Sequence, residues 1–185
     1  MTIVDTCWGP REIDEKPYWH LVPPSGTYAD IFKNNVRVGK GALLSVSAGI
    51  EAEPHLENAH TPYSLSRRDD KKEKVFEEVR QKSFPMCPSR LKTIYVFDDY
   101  ALVERALKEW FSKEPKMVYE CRIMTGSITH RADTTWLNCS SEQWVNCAYK
   151  YWSGEMSNDP FPEVRVHGVL YFPKWVEFTG DVIKA

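Results

Sequence analysis

Excess charge of either sign is missing from this sequence: 24 Lys and Arg stand against 26 Asp and Glu, a formal net charge of −2. That removes the broad positive footprint of a nonspecific nucleic-acid binder, while leaving room for a local basic groove. Cysteines at metal or redox spacing are missing too. The five present (Cys7, Cys87, Cys121, Cys139, Cys147) are odd in number with no C-x-x-C, which argues against a disulfide framework and for reduced thiols. No apolar run reaches membrane-spanning length, and Met1-Thr2-Ile3-Val4-Asp5 lacks the charged start and apolar core of a signal peptide, so a soluble, cytoplasmic protein is expected. Repeats, low-complexity tracts and linkers are absent, which leaves one domain over residues 1–185 as the expectation. Gly39-Lys40-Gly41 lacks the spacing of a phosphate loop, and the absence of a G-x-G-x-x-G fingerprint disfavours an NAD-dependent dehydrogenase. Around His55 and His60 no cysteine or carboxylate completes a zinc spacing, so no metal is expected.

What the chain has in surplus is aromatic area, 13% of residues with seven Trp. Large rings fill the core of a small domain or line a site for a flat ligand, and composition leaves both open. Hydrophobic residues at 42% and charged residues at 27% fit a folded globule rather than extended disorder.

Patterning predicts an α+β domain. Residues 1–17 read as an irregular lead-in. Tyr18–Val22 reads as a strand stopped by Pro23-Pro24-Ser25-Gly26, and Thr27 caps a brief helix ending at Asn34-Asn35. Residues 45–66 show no period and read as a long loop, of a length that functional lids have. From Arg67 to Ser83, Val75, Phe76 and Val79 stand at helical spacing. Arg67, Arg68, Lys71, Lys72 and Lys74 form the solvated face, balanced by Asp69, Asp70 and Glu73. Leu91–Phe97 is a predicted strand, Asp98 or Asp99 caps a helix reaching Trp110, and Met117–Met124 is another strand. Arg131–Trp136 reads as a loop. The helix after it matches a capping box at Ser140 and Gln143, with Trp144, Val145, Ala148, Tyr149 and Trp152 as its buried stripe. Lys174–Phe178 reads as a closing strand.

The organising stretch is Pro162–Phe172, rich in Val, Tyr and Phe and bounded by prolines. Alternation puts Glu163, Arg165 and His167 on one face and Val164 and Val166 on the other. A carboxylate on the face turned away from packed valines is placed to meet a ligand; the plainer alternative is a surface glutamate on a solvated edge strand. A cysteine nucleophile with a histidine partner stays open, although Cys121 and Cys147 sit inside apolar patterns. Asp133, Glu155 and Glu163 supply carboxylates for glycoside hydrolysis, but nothing fixes their separation.

Tyr18-Trp19-His20 on a strand followed by a helix and a glycine-containing turn resembles the first motif of ADP-ribosyltransferases. Thr93-Ile94-Tyr95-Val96-Phe97-Asp98-Asp99-Tyr100-Ala101, an aromatic strand feeding a helix, resembles the second motif of their His-Tyr-Glu branch. Glu163 at the head of Pro162–Val169 resembles the third, and the three occur in order over nearly the whole chain. Phe84-Pro85-Met86-Cys87-Pro88-Ser89-Arg90 also resembles a signature of uncharacterised bacterial and phage proteins of that superfamily. The resemblance implies a split two-sheet β core with flanking helices that binds NAD between the sheets. It implies that His20 bonds a ribose hydroxyl, that Tyr95 stacks on nicotinamide, and that Glu163 bonds the 2′-hydroxyl of the nicotinamide ribose. Glu163 would then stabilise the oxocarbenium-like transition state. Ser89 and Arg90 would contact the NAD diphosphate, a guanidinium fork suiting phosphate oxygens, and Asp133 and Trp136 would border the acceptor site. The plainer alternatives are a structural His20, core packing for Tyr95 and a surface salt bridge for Arg90. The Arg-Ser-Glu branch is imitated by Arg37, Ser45-Val46-Ser47 and Glu51-Ala52-Glu53, but the last two lie too close to occupy separate strands.

The expectation is a bacterial or phage mono-ADP-ribosyltransferase that modifies a macromolecule, with nucleic acid, mRNA included, ahead of protein. Enzymes of this size resemble toxins of toxin–antitoxin and phage-defence systems, which implies an antitoxin or chaperone partner. The rival is a non-catalytic interaction module, a phage inhibitor or antitoxin-like partner whose interface draws on the aromatic surplus and the 45–66 segment.

Overall fold

Among the residues that the computed structural model describes, 2–67 and 70–179, the chain forms nine strands and seven α-helices. In order they are β1 (Thr2–Thr6), β2 (Gly9–Ile13), β3 (Tyr18–Val22), α1 (Thr27–Val38), β4 (Ala42–Leu44), α2 (Val46–Ala52), α3 (Pro62–Ser66), α4 (Lys71–Ser83) and β5 (Ile94–Val96). Then come α5 (Tyr100–Glu109), β6 (Met117–Ile123), β7 (Ile128–Asp133), α6 (Trp144–Ser153), β8 (Pro162–His167), β9 (Val169–Tyr171) and α7 (Trp175–Thr179). The fold is mixed α+β, 40% helix and 26% strand, with several antiparallel sheets. No helix among the described residues is long and apolar enough to cross a membrane.

Two compact units gather these elements. Of the described residues, the first draws on 2–44, 96–127 and 168–179, the second on 45–67, 70–95 and 128–167.

In the first unit the expected irregular lead-in is instead a hairpin, β1 against β2, closed by Thr6 opposite Gly9. The Thr6 hydroxyl donates to the Gly9 carbonyl at 2.9 Å and accepts from the Trp8 amide at 3.1 Å, so the turn carries its own bonds. A four-stranded sheet follows in the order β3-β6-β9-β4. Helix α1 runs past Asn34-Asn35 to Val38, because Ala29, Phe32 and Val36 continue one buried stripe. Gly26, at φ 95°, precedes it where Thr27 was expected to cap. The predicted closing strand is α7: beyond Pro173 the Trp175 amide bonds the Phe172 carbonyl at 3.1 Å and turns the chain into a helix.

In the second unit a three-stranded sheet has the order β5-β8-β7. The expected loop 45–66 is mostly helical. Ser45 caps α2 by accepting from the Ala48 amide, a 3-10 turn covers Pro54–Leu56, and Thr61 caps α3 with Pro62 just inside. These starts rest on capping chemistry rather than on an apolar period, which is why periodicity missed them. Asp70 caps α4 at Lys71; Arg68 and Asp69, expected in this charged stretch, lie outside the described residues. Arg131–Trp136 is the end of β7 and a 3-10 turn, Thr134–Leu137, capped by Asp133. The Ser140–Gln143 capping box does not form: a 3-10 turn occupies Ser141–Gln143 and α6 starts at Trp144. Its buried face is Cys147, Ala148, Tyr151 and Trp152, which leaves Val145 and Tyr149 exposed. These residues pack with Phe76 and Val79 of α4, and the Trp152 indole N–H donates to the Phe76 carbonyl at 2.7 Å.

The expected single strand Pro162–Phe172 is two strands in two sheets. Gly168, at φ 140°, ends β8 and starts β9. A Cβ there would come within 2.8 Å of the Ser127 Cα, so only glycine fits the junction.

Candidate functional site

β8 is the middle strand of its sheet, so the solvated-edge alternative for Glu163 does not hold. Both faces of the strand are covered, and Glu163 and Arg165 are each 3% exposed. A buried carboxylate needs partners, and three donors converge on one of its oxygens. Oε1 of Glu163 accepts from Arg90 Nη1 at 2.7 Å, from the Tyr151 hydroxyl at 2.7 Å and from Arg165 Nε at 2.9 Å. Among the described residues, Oε2 accepts no hydrogen bond.

Arg90 is the hub. Nε donates to Glu73 Oε2 at 3.2 Å, Nη1 to Tyr151 and Glu163, and Nη2 to the Tyr63 hydroxyl at 2.7 Å and Glu73 Oε1 at 3.4 Å. A guanidinium has five N–H groups, and every one is taken. Each phenol relays onward: Tyr63 donates to Glu73 at 2.6 Å, as Tyr151 does to Glu163. Two guanidiniums thus face two carboxylates. Burial alone would push the carboxyls of Glu163 and Glu73 up. Arg165, Arg90 and the Tyr151 hydroxyl together outweigh it for Glu163, and Arg90, the Tyr63 hydroxyl and Arg165 together for Glu73, so both stay below the ordinary carboxylate range. Burial works against the charge on Arg90 too, yet Tyr151, Glu163, Tyr63 and Glu73 hold it well above its ordinary value.

Local structure fixes the hub. On α4, Arg80 pairs with Glu77 at 2.7 Å and donates to the carbonyl of Cys87, beyond the helix, at 2.9 Å. Glu77 accepts from the Ser89 hydroxyl at 2.9 Å, and Thr93 donates to the Ser89 carbonyl. Arg165 Nη1 donates to the Arg90 carbonyl at 3.3 Å. Arg90 therefore enters the cluster from a braced turn.

Of the residues singled out in the sequence, Ser89, Arg90, Tyr95, Asp133, Trp136 and Glu163 belong to the second unit and His20 to the first. Arg90 and Glu163 are brought into contact. Tyr95 joins them through Arg165, whose guanidinium lies 5.6 Å from its ring centre and 5.6 Å from that of Tyr63. Ser89 is engaged by Glu77, and Arg90 has no N–H left over, so the pair expected at a diphosphate instead braces and holds Glu163. Asp133 is fully buried and accepts from the amides of Thr135, Ser157 and Phe161 at 2.8 to 2.9 Å. Burial pushes its carboxyl up, but the bonds from Phe161, Ser157 and Thr135 bring it below the usual range. Trp136 is pinned by its indole N–H to the Glu155 carbonyl at 2.6 Å, with the Lys150 ammonium 4.3 Å above its ring centre. His20 is buried on β3, its Nε2 3.4 Å from the Tyr28 hydroxyl and its ring beside Phe32 and Phe172. Burial pushes that phenol up to about 12.

Sequence reasoning missed Glu73, Tyr63 and Tyr151. Two of them carried a signal: Glu73 stands three residues before Phe76 on the apolar stripe of α4, and Tyr151 three after Ala148 on that of α6. A charged or hydroxylated residue in a buried stripe needs a partner. Cys87 does meet a histidine, 3.6 Å from His130 Nδ1, but burial raises its thiol and keeps it protonated.

Residues 50–177 match the family described as "Protein of unknown function (DUF2441)". No curated protein matches the chain.

Proposed function

The chain belongs to the DUF2441 family, whose description assigns no activity, and from the geometry around Glu163 we propose that it is a mono-ADP-ribosyltransferase. The observation that carries this reading is the one-sided carboxylate. Three donors hold Oε1, and among the described residues none donates to Oε2. In the proposed reaction Oε2 accepts from the 2′-hydroxyl of the nicotinamide ribose. The bond between C1′ of that ribose and the nicotinamide nitrogen breaks, neutral nicotinamide leaves with the electron pair, the acceptor nucleophile bonds C1′ and gives its proton to solvent, and the ionised carboxylate faces the positive charge that develops on the sugar. A carboxylate fixed before substrate arrives needs no reorganisation at the transition state, which is where electrostatic catalysis has most effect. Arg90, Tyr151 and Arg165 then act as positioning residues, and the ring of Tyr95, set against Arg165, is the proposed nicotinamide platform. The proposed core is ADP-ribosyltransferase-like. In support, the chain has a four-stranded and a three-stranded sheet, with Glu163 near the start of the latter's central strand.

The acceptor we propose is a macromolecule, nucleic acid ahead of protein, with toxin action in phage defence as the setting. Labelled NAD incubated with the protein and with RNA, DNA or lysate protein tests this. Transfer to RNA or DNA that disappears in Glu163→Gln supports the reading, and label on protein bands alone overturns the nucleic-acid preference. Full transfer by Glu163→Gln removes the role of Glu163. No NAD cleavage together with no thermal shift at high NAD returns the chain to the interaction-module reading.

A further inference from the structure

A hydrogen-bonded line of Ser47, His167 and Glu51 lies in the second unit and takes no part in the Glu163 cluster. His167 Nδ1 is 2.8 Å from Ser47 Oγ, and Nε2 is 3.0 Å from Glu51 Oε2. An ionised carboxylate only accepts, so Nε2 carries the hydrogen that faces Glu51. In the uncharged form of the ring, the lone pair of Nδ1 then faces the Ser47 hydroxyl. Ser45 Oγ stands 3.2 Å from Ser47 Oγ and accepts from the Ala48 amide at 3.3 Å.

The sequence set aside Ser45-Val46-Ser47 and Glu51-Ala52-Glu53 because they lie too close for separate strands. In the fold that closeness has a use. On α2, Ser47 and Glu51 are one turn apart on one face, and both meet His167 at the end of β8. The Ser47 amide donates to the Lys92 carbonyl at 2.8 Å, which anchors the nucleophile. Ser47 is half-buried, the His167 side chain is 15% exposed and that of Glu51 71%, so the line opens to solvent at its Glu51 end.

A hydroxyl bonded to a neutral imidazole, itself oriented by a carboxylate, is the arrangement that turns a weak nucleophile into a reactive one. We infer that Ser47 is an activated nucleophile that accepts an acyl group from a neutral activated ester. The Glu51 carboxylate beside the imidazole disfavours an anionic phosphoryl donor. Ser47 Oγ bonds to the ester carbonyl carbon while its proton passes to His167 Nδ1. The tetrahedral adduct then expels the alcohol oxygen, which takes that proton. The products are the Ser47 ester and a free alcohol, with no further reactant. The inference does not depend on NAD chemistry.

The full chain treated with p-nitrophenyl acetate tests it, with p-nitrophenol release followed by absorbance and the acetyl group mapped by peptide mass spectrometry. Acetylation is expected at Ser47 and lost in Ser47→Ala. His167→Ala is expected to slow it about a hundredfold, the usual scale of general-base assistance, with partial rescue by imidazole in the buffer. Rescue separates a base from a residue that merely holds α2. Glu51→Gln, on an exposed side chain, carries the test if His167→Ala does not fold: slower acetylation of Ser47 at an unchanged unfolding midpoint is expected. Acetyl groups spread over lysines and other serines, or wild-type labelling of Ser47 in Glu51→Gln and His167→Ala, overturns the inference.

Discussion

Arg90 meets Glu163 at 2.7 Å with each side chain only 4% exposed. Their pairing is therefore a condition of folding. Replacing Arg90 by Met keeps the bulk and removes the charge, so Glu163 and Glu73 lose a shared cation. Breaking a buried pair from one side costs about 3–5 kcal/mol. Urea denaturation should show that loss, and a cost within the range of a surface substitution would mean that the hub does not hold the second unit.

Tyr151→Phe separates folding from positioning. The ring keeps its packing against Trp152 and Phe76, and only the hydroxyl between Arg90 and Glu163 is lost. The expected cost is about 1–3 kcal/mol, that of leaving buried polar groups short of one partner. On the proposed transferase reading, nicotinamide release from NAD should fall in the folded variant, since Glu163 loses one of the three donors that fix Oε1. Wild-type turnover in a folded Tyr151→Phe would remove Tyr151 from the site.

Acid should weaken the fold through the same cluster. The carboxyls of Glu163 and Glu73 sit below their ordinary range in the folded chain, because the guanidiniums and the tyrosine hydroxyls together outweigh the opposing effect of burial. A depressed folded value means that the unfolded chain takes up protons first as pH falls. The stabilisation is thus complete above the unfolded glutamate value of about 4.3 and fades as pH drops from there through the folded values. Melting temperature measured from neutral pH down to about pH 3 should fall steeply in that window, and Glu73→Gln should show a shallower fall. Equal slopes for wild type and Glu73→Gln would show that Glu73 titrates alike in both states.

The sequence made some strands and the longer helices legible because their patterns are local: Tyr18–Val22, the strand read over Met117–Met124 and the Asp99-capped helix appear close to where spacing and capping put them, while of the strand expected over Leu91–Phe97 only Ile94–Val96 forms. It misread segments whose structure rests on a partner or a cap. Residues 45–66 became helix through Ser45 and Thr61, and residues 2–13 became a hairpin through the Thr6 turn. Arg90 and Glu163 stood out as single residues, but their contact spans 73 positions of chain, and no spacing rule reaches that far. Glu73 looked like one more surface charge in Lys71-Lys72-Glu73-Lys74, and only the register of α4 turns it inward.

Asp133 supplies the test that best divides a structural role from a functional one. Its carboxylate closes the segment before β8 by accepting from the amides of Ser157 and Phe161, and it caps the 3-10 turn at Thr135. Asp133→Ala leaves three amides without their acceptor, at an expected cost of about 2 kcal/mol or more. Hydrogen exchange reads this residue by residue: the amides of Ser157 and Phe161 should lose protection while those of β3 and β6 keep theirs. The resemblance to ADP-ribosyltransferases instead put Asp133 at the acceptor site. That assignment expects lost transfer with Ser157 and Phe161 still protected in Asp133→Ala. Because Asp133 is fully buried and bonded to three backbone amides, loss of protection is the expected result, and any fall in transfer should follow from the loosened entry to the Glu163 strand.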